Sequence, residues 1–297
     1  MSDPILKPVE HFAERTAKLL GHDVGQAGEK IMRKAATGVE EVAGNATKTE
    51  AKHIAEIEAI GKTRKELTDG IGDTPVYRIR DNRVVERLTK DGAVPLTAED
   101  RARLPLKLNR KNQVPRRRTG DKNPYKLPEL KKGDPVPRKH STRVDPGETD
   151  LAKATQLARH EDHSFGNYNK DPDNPDGHKF SSNNYAAARY GEKGNPDSFI
   201  IVGRSRFPTH SERVLGTPFL QSNSAGGITE LYTEREPCTS RANCSRWMDT
   251  FLPGHVKVSH SFEYGFDDSS QKAGNAAMEN YLNGLNPRPS KLAPTAP

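Results

Sequence analysis

Three short stretches hold side chains that could do chemistry together: His210-Ser211-Glu212, Pro237-Cys238 and Cys244. One imidazole and two thiolates bind Zn2+ tetrahedrally with net charge near zero and leave a fourth position for water. Such an ion draws the pKa of bound water toward ~7, so hydroxide forms at neutral pH. A carboxylate two residues beyond the histidine could sit beside the metal without ligating it, free to move a proton. Each piece also has a plainer reading. Thr209-x-x-Glu212 spells a capping box, with Thr209 at N-cap and Glu212 at N3. A histidine at a helix start is ordinary, and Cys238 and Cys244 could close a small disulfide loop or be unremarkable thiols. Two features favour the joint reading. Of the 10 histidines only His210 is followed by x-Glu, and the only 2 cysteines lie one expected strand downstream. The first of them follows a proline and the second opens an expected helix.

The elements that must position these groups can be read from pattern. DLAKATQLARHED (150–162) has helical spacing, with Thr149 or Asp150 as cap. A Pro/Asn/Asp/Gly-rich stretch (166–184) reads as loop. SFIIVGRS (198–205) is a buried strand, whereas NYAAARYG (184–191) is ambiguous: its alanines favour helix, its tyrosines and the turn after it favour a hairpin partner. A helix starts at His210, a strand covers 228–234, a helix runs from Cys244 to Leu252, a strand covers 255–264 and a helix covers 269–285. The order from residue 150 is α-β-β-α-β-α-β-α. Both ligand-bearing helices would direct their N-terminal N–H groups and positive dipole ends at the thiolates and the nascent hydroxide.

At this point a resemblance can be named. H-x-E followed one strand later by P-C…C is similar to the signature of the cytidine-deaminase-like superfamily. More narrowly, NNYAAARYG, SFIIVGRS, HSERVL, LYTEREPC and NCSRW resemble the nucleic-acid deaminase toxins of bacterial polymorphic toxin systems, over roughly residues 150–285. The resemblance implies an α/β fold: a three-layer α-β-α arrangement with a mixed central sheet, in which NYAAARYG is the first strand. It implies His210, Cys238 and Cys244 as zinc ligands and Glu212 as general acid/base, taking a proton from zinc-bound water so that the hydroxide attacks C4 of cytosine (C6 of adenine) in an unstacked base. The spacing departs from the usual C-x-x-C, since the five residues Thr239–Asn243 intervene. That makes Cys238 the ligand most in need of a structural account. Expected substrate contacts are Asn183, Asn184, Phe207, Tyr232 and Arg235. Arg204, Arg206, Arg241 and Arg246 flank the pocket and could hold phosphates or be solvated charges. Trp247 is read as packed under the sheet.

The rest of the chain bounds the picture. Its 297 residues hold 32% hydrophobic and 29% charged side chains, with 24 Gly and 22 Pro. That is lean for a chain packed throughout. Residues 1–72 read as a weakly amphipathic helical region for delivery or docking. Residues 73–104 read as a small β/α segment, two short strands around Asp81-Asn82 and a helix capped by Thr97. Residues 105–149 read as an extended, basic, Pro-rich linker, 150–285 as the catalytic domain and 286–297 as a disordered tail. Lys and Arg outnumber acids 47 to 40, for a net +7, which favours polyanionic partners. There is no Sec-type signal peptide and no run of roughly 18–20 apolar residues to span a bilayer. The expected activity is zinc-dependent deamination of a nucleobase, cytosine in single-stranded DNA before RNA, by a bacterial toxin that acts in the cytoplasm or is exported by a specialised system. A cognate immunity protein is an implied partner. The rival readings are a free-nucleotide or nucleoside deaminase, and a non-enzymatic nucleic-acid-binding protein with a structural zinc or disulfide loop.

Overall fold

The computed structural model describes residues 63–286 apart from 117–119, 173, 241, 266 and 267. Of the helical region expected over 1–72, residues 1–62 lie outside these residues and 63–71 are helical, and the expected tail lies outside them from residue 287 on. Among the described residues no helix is long and apolar enough to cross a membrane.

An eight-stranded mixed sheet organises the molecule, in the order β3-β2-β1-β8-β7-β9-β10-β4. Its centre is β7 (Tyr185–Tyr190), the alanine-rich segment whose composition was ambiguous. It pairs antiparallel with β8 (Phe199–Arg204) on one side and β9 (Ile228–Arg235) on the other. Strand pairing on both flanks overrides the helical preference of three alanines. Small side chains suit this position because both faces of β7 are covered. Tyr185 and Ala187 face one apolar cluster, with Leu151, Ala154 and Leu157 of α2 (Asp150–Asp162). Ala186 and Ala188 face the other, with Val214, Leu215 and Phe219 of α3 (Ser211–Gln221) and Trp247 and Met248 of α4 (Cys244–Phe251). The period-2 alternation of the strand thus builds the two cores of a three-layer α-β-α fold. A fifth helix, α5 (Asp268–Leu285), covers the end of β10 (Lys257–Phe262) through Met278 and Leu282 on Phe262.

Three findings extend the sequence reading. First, β1 (Val76–Ile79), β2 (Val85–Thr89) and β3 (Gly92–Pro95) join the same sheet, because β1 lies parallel to β8 with Val76 opposite Ile200. The short helix α1 (Ala98–Arg103) follows, and Thr97 forms its capping box with Asp100 as expected. Second, residues 105–149, expected as an extended spacer, are fastened to the fold. Leu106 and Val114 are buried in the core, Trp247 Nε1 donates to the Tyr125 carbonyl at 3.0 Å, and β4 (Ser141–Arg143) adds a parallel edge strand to β10. Proline-rich composition left those apolar anchors hard to see. Third, the stretch expected as loop contains a separate hairpin, β5 (Asn167–Asp171) and β6 (Asn174–Ser181), closed by an edge-on Tyr168–Phe180 pair.

One buried ion pair ties α2 to the sheet. Arg159 of α2 and Glu234 of β9 are both fully buried and bonded through two contacts, Nε–Oε1 at 2.5 Å and Nη2–Oε2 at 2.6 Å. The guanidinium also donates to the carbonyls of Ser164 and Asn183 and lies 4.3 Å from the Tyr185 ring centroid. Removing one partner strands the other charge in the interior, which typically costs about 3–5 kcal/mol. Arg159→Met should therefore lower the unfolding free energy by about that amount, measured by urea denaturation.

Candidate active site

Strand β8 ends at Arg204, and residues 205–209 turn back through an Arg206–Thr209 bridge before α3 begins. The N-cap of α3 is His210, in extended geometry (φ −76, ψ 155) and with no side-chain cap bond. The Thr209–Glu212 capping box does not form, because Thr209 stands one residue outside the cap and Glu212 falls at N2. The His210 imidazole is therefore available, and its Nδ1 lies 3.5 Å from Cys238 Sγ.

Cys238 comes from the loop after β9, and Cys244 is the first residue of α4. The five residues between them end at Asn243, which takes the left-handed conformation (φ 46, ψ 62) and caps α4 by accepting from Arg246 N at 3.2 Å. Asparagine tolerates that conformation better than most residues. The first turn of α4 holds Cys238 twice: Cys244 N donates to its Sγ at 3.3 Å, and Ser245 N donates to its carbonyl at 3.2 Å. The wider spacing is absorbed in this way, and the residue it put in doubt is anchored by the helix N-terminus. The ligand atoms of His210, Cys238 and Cys244 all lie within 4.8 Å of one another.

The donor set fits a zinc ion. Bonds of about 2.3 Å to sulfur and 2.0–2.1 Å to nitrogen at a tetrahedral angle put N and S about 3.6 Å apart. The 3.5 Å between His210 Nδ1 and Cys238 Sγ matches. The electrostatics agree. A hydrogen bond from the Cys244 thiol, and a further one from His210, pull the Cys238 thiol well below its ordinary range. Donating that hydrogen bond, together with burial, pushes Cys244 far up, and the Cys238 contact also raises His210. The pair thus favours an anionic Cys238 sulfur that accepts from the Cys244 thiol. A dication bound by both sulfurs would favour the ionised form of each.

Glu212 lines the same cleft, of about 320 Å³, and is only 2% exposed. Its Oε2 accepts from Ser211 Oγ at 3.2 Å. Burial, then the Cys238 charge, raises its carboxyl above the usual carboxylate range.

The expected substrate contacts divide. Asn184 and Arg235 line the cleft. The Asn184 carboxamide donates to Ser211 Oγ at 3.0 Å and Thr233 Oγ1 at 2.7 Å and accepts from Arg235 N at 2.9 Å. It is a strut joining the starts of β7 and α3 to the end of β9. Arg235 bonds Asn275 Oδ1 at 3.2 Å and Ser182 Oγ at 3.1 Å. Asn183 is exposed in a neighbouring groove with Ser181, Ser182 and Arg204. Phe207 projects fully into solvent at the tip of the 205–209 turn. Tyr232 is fully buried with its hydroxyl on Ser261 Oγ at 2.8 Å, so it faces the core and not the cleft. Trp247 is buried as expected. Arg204 pairs with Asp81, Arg246 donates to the Pro128 carbonyl, and Arg241 lies outside the described residues. Ser182, Tyr264 and Asn275 of the cleft wall escaped sequence reasoning, because single polar residues on separate elements carry no spacing signal.

The buried Glu212 has a measurable consequence for stability. A carboxyl whose pKa is raised on folding holds its proton more tightly folded than unfolded. Stability is therefore lost as pH rises from the ordinary value of 4.5 through the folded one. In metal-free protein, Glu212→Gln should be more stable than the parent at neutral pH, with the difference vanishing in acid. Urea denaturation of both proteins across pH measures it.

Residues 181–281, about a third of the chain, match the family model of the Xanthomonas-like deaminases, and the span contains His210, Glu212, Cys238 and Cys244. No curated protein and no solved structure matches the chain. The chain carries a deaminase-type domain over these residues.

Proposed function

We propose that this protein is a zinc-dependent hydrolytic deaminase acting on a nucleobase, cytosine in single-stranded DNA foremost. The observation that carries the reading is the meeting of His210, Cys238 and Cys244 beside a buried carboxylate, Glu212, inside the deaminase-matching segment. His210, Cys238 and Cys244 would hold the ion. When bound, zinc would supply a Lewis acid that makes hydroxide accessible at neutral pH. Glu212 would take one proton from the attacking water and give it to ring N3. It would then take the second from the resulting C4 hydroxyl and give it to the amine, so that the C4–N4 bond breaks, ammonia leaves and a C4 carbonyl remains. The burial of Glu212 suits this role, because raising the carboxyl above the usual carboxylate range makes it a stronger base for the proton of water. Asn184 holds the starts of β7 and α3 against β9, which keeps Glu212 facing the cleft.

Single strands are favoured because the base must leave its stack before its exocyclic amine reaches the cleft floor. The fully exposed Phe207 between Arg206 and the site offers a stacking face beside positive charge, a pairing that single-strand binders use. Deployment as a bacterial toxin, with a cognate immunity protein and with residues 1–72 serving delivery or docking, is what the resemblance to polymorphic-toxin deaminases suggests.

Glu212→Gln should lower base conversion by about 10²–10⁴-fold with zinc content unchanged, scored by sequencing an oligonucleotide substrate and by elemental analysis. Conversion that survives this change would refute the role of Glu212. Phe207→Ala should raise KM for a single-stranded oligonucleotide roughly 5- to 150-fold, the equivalent of ~1–3 kcal/mol of stacking, and leave dCMP turnover unchanged. Equal activity on dCMP and the oligonucleotide, insensitive to Phe207, would instead make a free nucleotide the substrate.

A further inference from the structure

A second cluster of metal-competent side chains stands at the ends of two neighbouring strands. Strands β9 and β10 run parallel, with Arg235 opposite Phe262, and the backbone of Glu236 continues the pairing by donating to the Phe262 carbonyl at 2.8 Å. Glu236 and Glu263 therefore emerge side by side just beyond the paired ends, with His260 of β10 between them. One ligand atom from each of Glu236, His260 and Glu263 lies within 4.8 Å of the others.

The histidine is the telling member. His260 is 3% exposed, yet neither ring nitrogen has a hydrogen-bond partner, and Nε2 stands 3.4 Å from Glu263 Oε1. A buried polar group left without a partner costs about 1–3 kcal/mol and calls for a physical reason. A protonated imidazole paired with Glu263 would leave its other N–H unmet and the cluster one negative charge in excess. Glu236, by contrast, is already oriented, because its Oε2 accepts from Tyr264 N at 3.1 Å, as the carboxylates of metal centres commonly do from a neighbouring donor.

We propose that Glu236, His260 and Glu263 form a second cation site, separate from the sulfur site and sharing no ligand with it. One imidazole and two carboxylates balance a dication and select borderline divalent transition ions (zinc, manganese, iron or cobalt) over the all-oxygen preferences of calcium and magnesium. The ion would clamp β9 to β10 next to the cleft, on whose wall Glu236 also lies.

Cobalt(II) distinguishes the two sites in the full-length protein, because thiolate ligation gives an intense near-ultraviolet charge-transfer band and nitrogen–oxygen ligation gives none. Titration of reduced, metal-stripped protein should take up two equivalents, only one of them developing the thiolate band. Glu263 is half exposed, so Glu263→Gln should fold normally. It should weaken the silent equivalent by at least the ~10–100-fold that even outer partners of a metal are worth, and leave the thiolate band intact. A single equivalent carrying the thiolate band, or a second equivalent indifferent to Glu263→Gln, would overturn the proposal and leave the sulfur site standing. A single silent equivalent abolished by Glu263→Gln would support it while removing the sulfur site.

Discussion

The candidate site depends on how a carboxylate and a guanidinium are kept together out of water. Glu234 ends the buried part of β9 and is followed immediately by the stretch that delivers Arg235, Glu236 and Cys238 to the cleft. Its carboxylate accepts twice from Arg159 and once from Tyr185 N at 2.7 Å. One group therefore fixes where α2 sits, where β7 begins and where β9 releases the chain. Ionic bonds this deep stabilise little net of desolvation, but they tolerate few alternative arrangements. In this fold the pair fixes register: moving β9 by one residue would turn Glu234 away from Arg159 and swing the following loop to the wrong side of the sheet.

A second constraint acts at the metal-competent cluster. Two sulfurs this close cannot both ionise unaided, and the chain meets them with the N-terminus of α4 and the imidazole of His210. Burial, and after it the Cys238 charge, raises Glu212. A bound cation would offset the cost of grouping these side chains, the kind of exchange of stability for reactivity that a working site makes.

Much of this was legible in the residues. H-x-E, the proline before Cys238 and the helix-start position of Cys244 identified the cluster, because zinc chemistry restricts which residue types can occupy those places. A continuous apolar run located β8, strand-type segments were read at β9 and β10, and Thr97 and Thr149 marked helix starts through their capping chemistry. What stayed hidden depends on partners distant in sequence. Nothing in residues 76–79 says that they lie beside β8, and composition alone left β7 open between helix and strand, where the resemblance implied the strand that is found. The β5–β6 hairpin hid behind Pro, Asn and Gly, which usually signal loop. Tyr232 had the right neighbours in sequence for a cleft residue but falls on the core face of its strand, since strand side chains alternate. Asn184 was found for the wrong reason: it reaches the cleft, yet its amide is already taken up by the protein.

The strap formed by residues 105–149 carries a consequence for handling the molecule. It crosses from the sheet edge of β1–β3 to the opposite edge at β4, held on the way by the indole of Trp247, by Arg246 on the Pro128 carbonyl and by paired bonds between Lys139 and Ser245. The strands on its two sides belong to one hydrogen-bonded sheet. A protease that cut once within this lysine- and arginine-rich span would leave both fragments seated against each other, a nicked particle that parts only on denaturation. Excision at the limits of the deaminase match would discard β1, α2 and β4, baring the flank of β8 and the face of the sheet that α2 covers.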